Sequence, residues 1–137
     1  MRTILGPIAI ATLAAFLMVT STHAQVVFTD ITEEAGIDLT EWLTESVAWG
    51  DFDNDGDLDL YVVNFTGGLD VLYRNDGPVG IGGAYRFTDI TLSARTNVER
   101  SSRGMTFVDY DRDGLLDIFV MAVGPNILYR NSVACDL

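Results

Sequence analysis

From Val26 to Asn131 the chain is a series of short apolar runs, each bounded by Gly, Asn, Asp or Pro. The runs fall at Phe28–Ile31, Val47–Phe52, Leu58–Asn64 and Asp70–Asn75. They fall again at Arg86–Ile90, Met105–Tyr110, Leu116–Ala122 and Asn126–Asn131. Rich in Val, Ile, Phe, Tyr and Trp and with the period of strands, they predict β-strands throughout. Only Thr32–Leu43 carries the pattern of a short helix, with Thr32 as its cap and Glu33 and Glu34 in the first turn. The stretch Asn75-Asp76-Gly77-Pro78 is turn chemistry. The fold class that follows is all-β.

The pattern occurs twice. Phe28-Thr29-Asp30-Ile31-Thr32 returns as Phe87-Thr88-Asp89-Ile90-Thr91, an acidic stretch at Asp51 returns at Asp109, and Leu72-Tyr73-Arg74-Asn75 returns as Leu128-Tyr129-Arg130-Asn131. The offsets are 59, 58 and 56 residues, a drift that fits length changes in loops. The sequence unit is therefore about 56 to 59 residues long. We place the first unit at 25–80 and the second at 81–137, with a short C-terminal tail. Four strands per unit is the content of one β-propeller blade.

Each unit holds one acidic loop. Asp51-Phe52-Asp53-Asn54-Asp55-Gly56-Asp57-Leu58-Asp59 has carboxylates at positions 1, 3, 5 and 9 and glycine at 6, and Asp109-Tyr110-Asp111-Arg112-Asp113-Gly114-Leu115-Leu116-Asp117 obeys the same rule. This is the spacing of the first part of an EF-hand loop, in which position 7 offers its carbonyl. Calcium is a hard cation that takes six to eight oxygens, and short Asp side chains on a tight turn can all aim at one centre. Two carboxylates about 4 Å apart repel by roughly 1 kcal/mol even at the dielectric of water, so the empty loops are expected to be loose until calcium orders them. The bland alternative, a solvated Asp/Gly turn, is weakened by the matched positions of two copies. The EF-hand itself does not fit, because position 12 is Val62 or Val120 where a bidentate Glu belongs. The strand-like flanks exclude a dockerin-type module as well, and place each loop between two antiparallel strands. Leu58 and Leu116, at position 8, are expected to tuck into the core.

Composition narrows the partners. The net charge is −12, from 20 acidic and 8 basic residues, and every basic residue is Arg. A chain this acidic is repelled by phosphate backbones, so nucleic acid is not expected as a partner. With 48% hydrophobic residues it is not a disordered acidic tail either. Arg2, the apolar run Ile4–Val19 and the small residues ending at Ala24 read as a secretory signal peptide, 1–24. The run is shorter than the roughly 20 residues of a membrane span, so no anchor is expected after cleavage. The mature chain would begin at Gln25 in a secreted or periplasmic setting and lack both His and Lys. A single cysteine, Cys135, permits no internal disulfide and no Cys/His metal site. It reads as a tail thiol, with an intermolecular bridge as the alternative.

The run Val47-Ala48-Trp49-Gly50 followed by the first acidic loop and Leu60-Tyr61-Val62-Val63-Asn64 resembles the FG-GAP/VCBS repeat. The Phe-Thr-Asp-Ile-Thr and Leu-Tyr-Arg-Asn motifs are similar to those of the cartilage-acidic-protein-like (ASPIC/UnbV-type) members. The resemblance implies two tandem four-stranded antiparallel blades of an integrin-α-like β-propeller, a partial propeller with calcium in its hairpin loops. It also implies secretion and a role in adhesion or ligand binding rather than catalysis. Carried over by position, the ligands are Asp51, Asp53, Asp55, the Asp57 carbonyl and Asp59, then Asp109, Asp111, Asp113, the Leu115 carbonyl and Asp117. The second unit departs in two places, with Arg112 at the position of Asn54 and Ala94-Arg95 at that of Ala35-Gly36.

Three functions compete. The first is a secreted calcium-binding module that engages an extracellular protein or glycan, at the weak affinity of about 10⁻⁴ to 10⁻³ M usual for extracellular modules. The second is a carbohydrate hydrolase with paired carboxylates, but Glu33, Glu34, Glu41, Glu45 and Asp70 read as a solvated face, and no Ser-His-Asp or Cys-His set exists. The third is a structural blade of a larger propeller. Two units leave open edges, so the chain reads as a fragment joined to further blades or as a short protein that self-associates. Trp49 and Tyr61 are expected in the core, and Trp42 on the surface.

Overall fold

The computed structural model describes residues 25–38, 43–65, 68–80, 83–97, 99 and 101–132. The leader, Glu41, Trp42 and Cys135 lie outside the described residues. A single helical turn, α1 (Thr32–Ala35), precedes seven strands: β1 (Thr44–Gly50), β2 (Asp59–Asn64), β3 (Val71–Pro78), β4 (Tyr85–Asp89), β5 (Ser102–Val108), β6 (Asp117–Ala122) and β7 (Ile127–Tyr129). They form two open antiparallel sheets, β1-β2-β3-β4 and β5-β6-β7, the arrangement of partial propeller blades. Among the described residues no helix is long and apolar enough to cross a membrane. The helix stops after one turn because Gly36 takes a left-handed conformation at φ 78° and ends it.

The sheets are out of phase with the sequence repeat by one strand. β4, which carries the Phe87-Thr88-Asp89 motif that opens the second unit, is the edge strand of the first sheet, paired Tyr73↔Asp89, Arg74↔Thr88 and Asn75↔Phe87. The expected strand at Phe28–Ile31 is not formed, and Phe28 is 92% exposed. Its sequence suits a strand, but no sheet edge lies beside it. The second sheet therefore has three strands, not four.

The alternating pattern sorts side chains onto two faces. One face of the first sheet, with Tyr61, Val63 and Leu72, packs on Ile118 and Val120 of the second, and Met105 and Phe107 complete the seam. Full burial of each such side chain is worth about 1.5–3 kcal/mol. Gly50 lets the sheets meet closely, since a Cβ there would stand 2.6 Å from the Phe107 ring. A second link is polar: Asp70, buried, accepts hydrogen bonds from the Asn64 N–H (3.0 Å) and from the Ser102 hydroxyl (2.7 Å) of the other sheet. Asp70 is thus no solvated carboxylate, and burial pushes its pKa up.

The opposite face of the first sheet, with Leu60, Val62 and Tyr73, is covered in part by Ile37 and Phe87. Two core expectations fail there. Trp49 stacks edge-on against Phe87 yet is 52% exposed, and Leu58 is 56% exposed. Their counterparts in the second unit, Phe107 and Leu116, are half-buried against Gly50 of the first sheet. The difference is whether a sheet precedes them.

Candidate metal centre

Each acidic loop spans a hairpin, β1 to β2 and β5 to β6, as the strand-like flanks predict. The chain wraps around the first Asp. Asp51 accepts from the N–H groups of Asp55 and Gly56, both at 3.1 Å, and Asp109 accepts from those of Asp113 and Gly114, both at 3.1 Å. The wrap requires left-handed backbone at Asn54 (φ 60°) and Arg112 (φ 63°), and at Gly56 and Gly114. Asn tolerates that region better than Arg. Arg112→Asn should therefore stabilise the chain by ~0.5–1 kcal/mol in a urea titration. No gain would mean that the Arg112 backbone is unstrained.

The last Asp of each loop anchors it to the sheet. Asp59 is fully buried and accepts from the N–H of Phe52 (3.0 Å) and of Asn75 (2.8 Å). Asp117, equally buried, accepts from Tyr110 (3.3 Å) and Asn131 (2.7 Å). Asn75 and Asn131 also donate through their side chains to the carbonyls of Leu58 (3.1 Å) and Leu116 (3.2 Å). Asn131 reaches the Phe52 carbonyl of the first loop too, at 2.8 Å, and Asn54 reaches the Gly114 carbonyl of the second, at 3.2 Å. Sequence reasoning does not single out Asn75 and Asn131 as site residues, although both end the recurring Leu-Tyr-Arg-Asn motif, which is the signal that could have found them.

Two groups of three carboxylates result. Asp51, Asp53 and Asp59 each bring one oxygen within 4.8 Å of the others, and Asp109, Asp111 and Asp117 do the same. Burial pushes the Asp59 pKa up to about 6, against the pull of the Asn75 and Phe52 N–H groups, with Asp53 and Asp55 adding repulsion. Partial burial and then the Asp55 charge raise Asp53 as well. Such convergence of charge fits a cation by the chemistry of its donors: hard, anionic oxygens only. Asp55 and Asp113 stand outside the groups of three. Each turns a carboxylate oxygen to an N–H two residues ahead, on Asp57 (2.9 Å) and Leu115 (3.0 Å).

The two loops differ in what lies beside them. Arg74 is held by Asp76 at 2.6 Å, and the Thr88 hydroxyl donates to the same carboxylate. Ser132 stands where that Asp would be in the second unit, and Arg130 turns instead onto Asp111 (2.8 Å) and Asp113 (3.3 Å). A guanidinium there competes with any bound cation. Exposed pairs of this kind are worth up to about 1 kcal/mol, so Arg130→Gln should tighten cation binding at the second loop by up to about fivefold. Calorimetric titration reads this directly, and an unchanged second constant would refute the competition.

The pattern of the FG-GAP-like repeat matches residues 51–120, from the first acidic loop into β6. No curated protein matches the chain significantly, and no solved structure does.

Proposed function

The chain belongs to the FG-GAP-like repeat family, and from that premise we propose that it is a secreted, calcium-binding, non-catalytic interaction module. The observation that carries the proposal is the duplicated one: three carboxylates converge at the same point of two hairpins, with the same backbone wrap around the first. Asp51, Asp53 and Asp59 hold one calcium ion, and Asp109, Asp111 and Asp117 hold the other. Asp55 and Asp113 join after a side-chain rotation, and the carbonyls of Asp57 and Leu115 complete the sets. Calcium suits these sites because it accepts irregular oxygen shells, whereas magnesium demands near-ideal octahedra. The ion then staples each hairpin. The leader-like 1–24 stretch supports secretion, where calcium is plentiful, and the exposed Trp49 face supports contact with a protein or glycan. The Phe-Thr-Asp-Ile-Thr and Leu-Tyr-Arg-Asn motifs support the cartilage-acidic-protein-like subgroup.

Melting the full chain in chelator, in calcium and in magnesium tests the reading. At a hundredfold excess over Kd each site adds ~2.7 kcal/mol, so a clear calcium-specific rise in Tm is expected, with two ions bound per chain. Asp51→Ala and Asp109→Ala should each remove one. An identical Tm in calcium and chelator would refute the proposal.

A further inference from the structure

The seam between the two sheets is asymmetric, and its two halves recur, unfilled, at opposite ends of the molecule. Within the seam, the second sheet presents Phe107 and Leu116 to the first, and the first presents Tyr61, Val63 and Leu72 in return. The counterparts of the former, Trp49 and Leu58, lie exposed on the outer face of the first sheet. Among the counterparts of the latter, Met121 and Leu128 lie exposed on the outer face of the second, 50% and 47%. One end of the chain thus carries the surface that the other end is shaped to receive.

The strands say the same. β4 closes the first sheet through Phe87-Thr88-Asp89-Ile90, with the Ile90 N–H on the Leu72 carbonyl at 2.9 Å. Phe28-Thr29-Asp30-Ile31 is the same sequence, exposed and in no sheet. It leads into the same local turn: Thr32 donates to Asp30 as Thr91 does to Asp89, and the Ala35 N–H reaches Ile31 as that of Ala94 reaches Ile90. The edge that would receive it is β7, beyond which no strand lies among the described residues. β7 begins the Leu128-Tyr129-Arg130-Asn131 motif, the repeat of the β3 motif that receives β4.

The polar contacts across the seam are carried forward too. Glu45 of the first sheet pairs with Arg103 of the second at 3.2 Å, and both occupy the same position of the repeat. A following copy would set its Glu45 against this Arg103, a continued alternation of charge. Likewise Ser102 donates to Asp70, which also accepts from the Asn64 N–H. Their counterparts Thr44 and Asn126 are both exposed, Asn126 accepting from the Ala122 N–H in the same way (3.2 Å) while the Thr44 hydroxyl turns to Asn64 (3.3 Å). One position differs: Val108 stands where Gly50 does, so Trp49 seats less deeply than Phe107.

We propose that copies of this chain associate head to tail, Phe28–Ile31 of one adding to β7 of the next in the register of β4 on β3. The Thr29 N–H then donates to the Arg130 carbonyl and the Ile31 N–H to that of Leu128, a β-augmentation backed by face-to-face packing. The contact is heterologous, so it builds rings or filaments rather than a two-fold dimer.

The test uses the full chain, expressed with residues 1–24 in place and studied in calcium by sedimentation from micromolar to millimolar concentration. The wild type is expected to exceed monomer mass. Thr29→Pro deletes a strand donor in the exposed segment, and Met121→Asp charges the receiving face; each should give a monomer that melts as the wild type does at a concentration low enough to keep it monomeric. Mixing the two should restore a dimer and nothing larger, because each variant keeps the half that the other lacks. A monomeric wild type, variants of wild-type mass, or a mixture that stays monomeric would each overturn the proposal. Should Met121→Asp lower the melt, Leu128→Ser replaces it at the same face.

Discussion

Replacing Asp59 by alanine should cost the chain ~3–5 kcal/mol in metal-free buffer, more than loss of any other Asp in the acidic loop of the first unit. Both carboxylate oxygens are committed, one to Phe52 and one to Asn75, and the residue is fully buried. Alanine would leave two buried N–H groups without acceptors, at about 1–3 kcal/mol each, and open a small cavity. Against a typical stability of about 5–15 kcal/mol, that loss is large. Asp51→Ala provides the contrast. Asp51 is only half-buried and its partners, the N–H groups of Asp55 and Gly56, can turn to water, so its loss should be about 1 kcal/mol or less without metal. Urea titrations of both variants in chelator separate the two roles. Equal losses would mean that Asp59 is a ligand only and not a structural anchor.

The same carboxylate makes metal-free stability fall as pH rises from about 4 to about 6.5. The folded-state pKa of Asp59 is raised from 3.8 to about 6. Its proton is held more tightly by the folded chain than by the unfolded one, so the contribution is complete below the unfolded pKa and is lost as pH climbs through the folded one. The full swing is ~3 kcal/mol. Asp70 and Asp53, also raised, act in the same direction, whereas Asp30 and Asp76, lowered, are surface groups that oppose it weakly. With saturating calcium the slope should reverse, because the ion needs the ionised carboxylate and binds better above pH 6. Denaturant midpoints measured at several pH values, with calcium and with chelator, should give two curves that diverge upward from pH 5. Parallel curves would separate Asp59 from the ion.

Local sequence made much of this legible. Alternation located β1 and β5, whose burial follows the period of two, while β2, buried on both faces, and β6 show as near-continuous apolar runs on the far side of each loop. The Asp spacing located the carboxylates that converge, because a short acidic side chain at the start of a tight turn and another at its end have few other places to point. What was not legible depended on neighbours distant in sequence. Phe28–Ile31 has the composition of a strand and lacks only an edge, and no composition states whether an edge is present. Trp49 and Leu58 are as apolar as Phe107 and Leu116, yet only the latter have a sheet in front of them. Asp70 looked like any surface acid, and its role rests on Ser102, 32 positions away. Leu-Tyr-Arg-Asn was visible as a recurrence, but that its Asn anchors a loop through both backbone and side chain emerges only when β3 lies beside β2.

The one-strand phase shift between repeat and sheet has a consequence for synthesis. As the chain leaves the ribosome, the first sheet lacks its edge until residue 89 has emerged, by which point the second unit is already under way. The first unit is thus completed by its successor, so its folding must wait on the unit that follows and the two become interlocked as they are made. A gene that gained or lost one whole unit would keep every junction intact, since the joining strand travels with the unit it introduces.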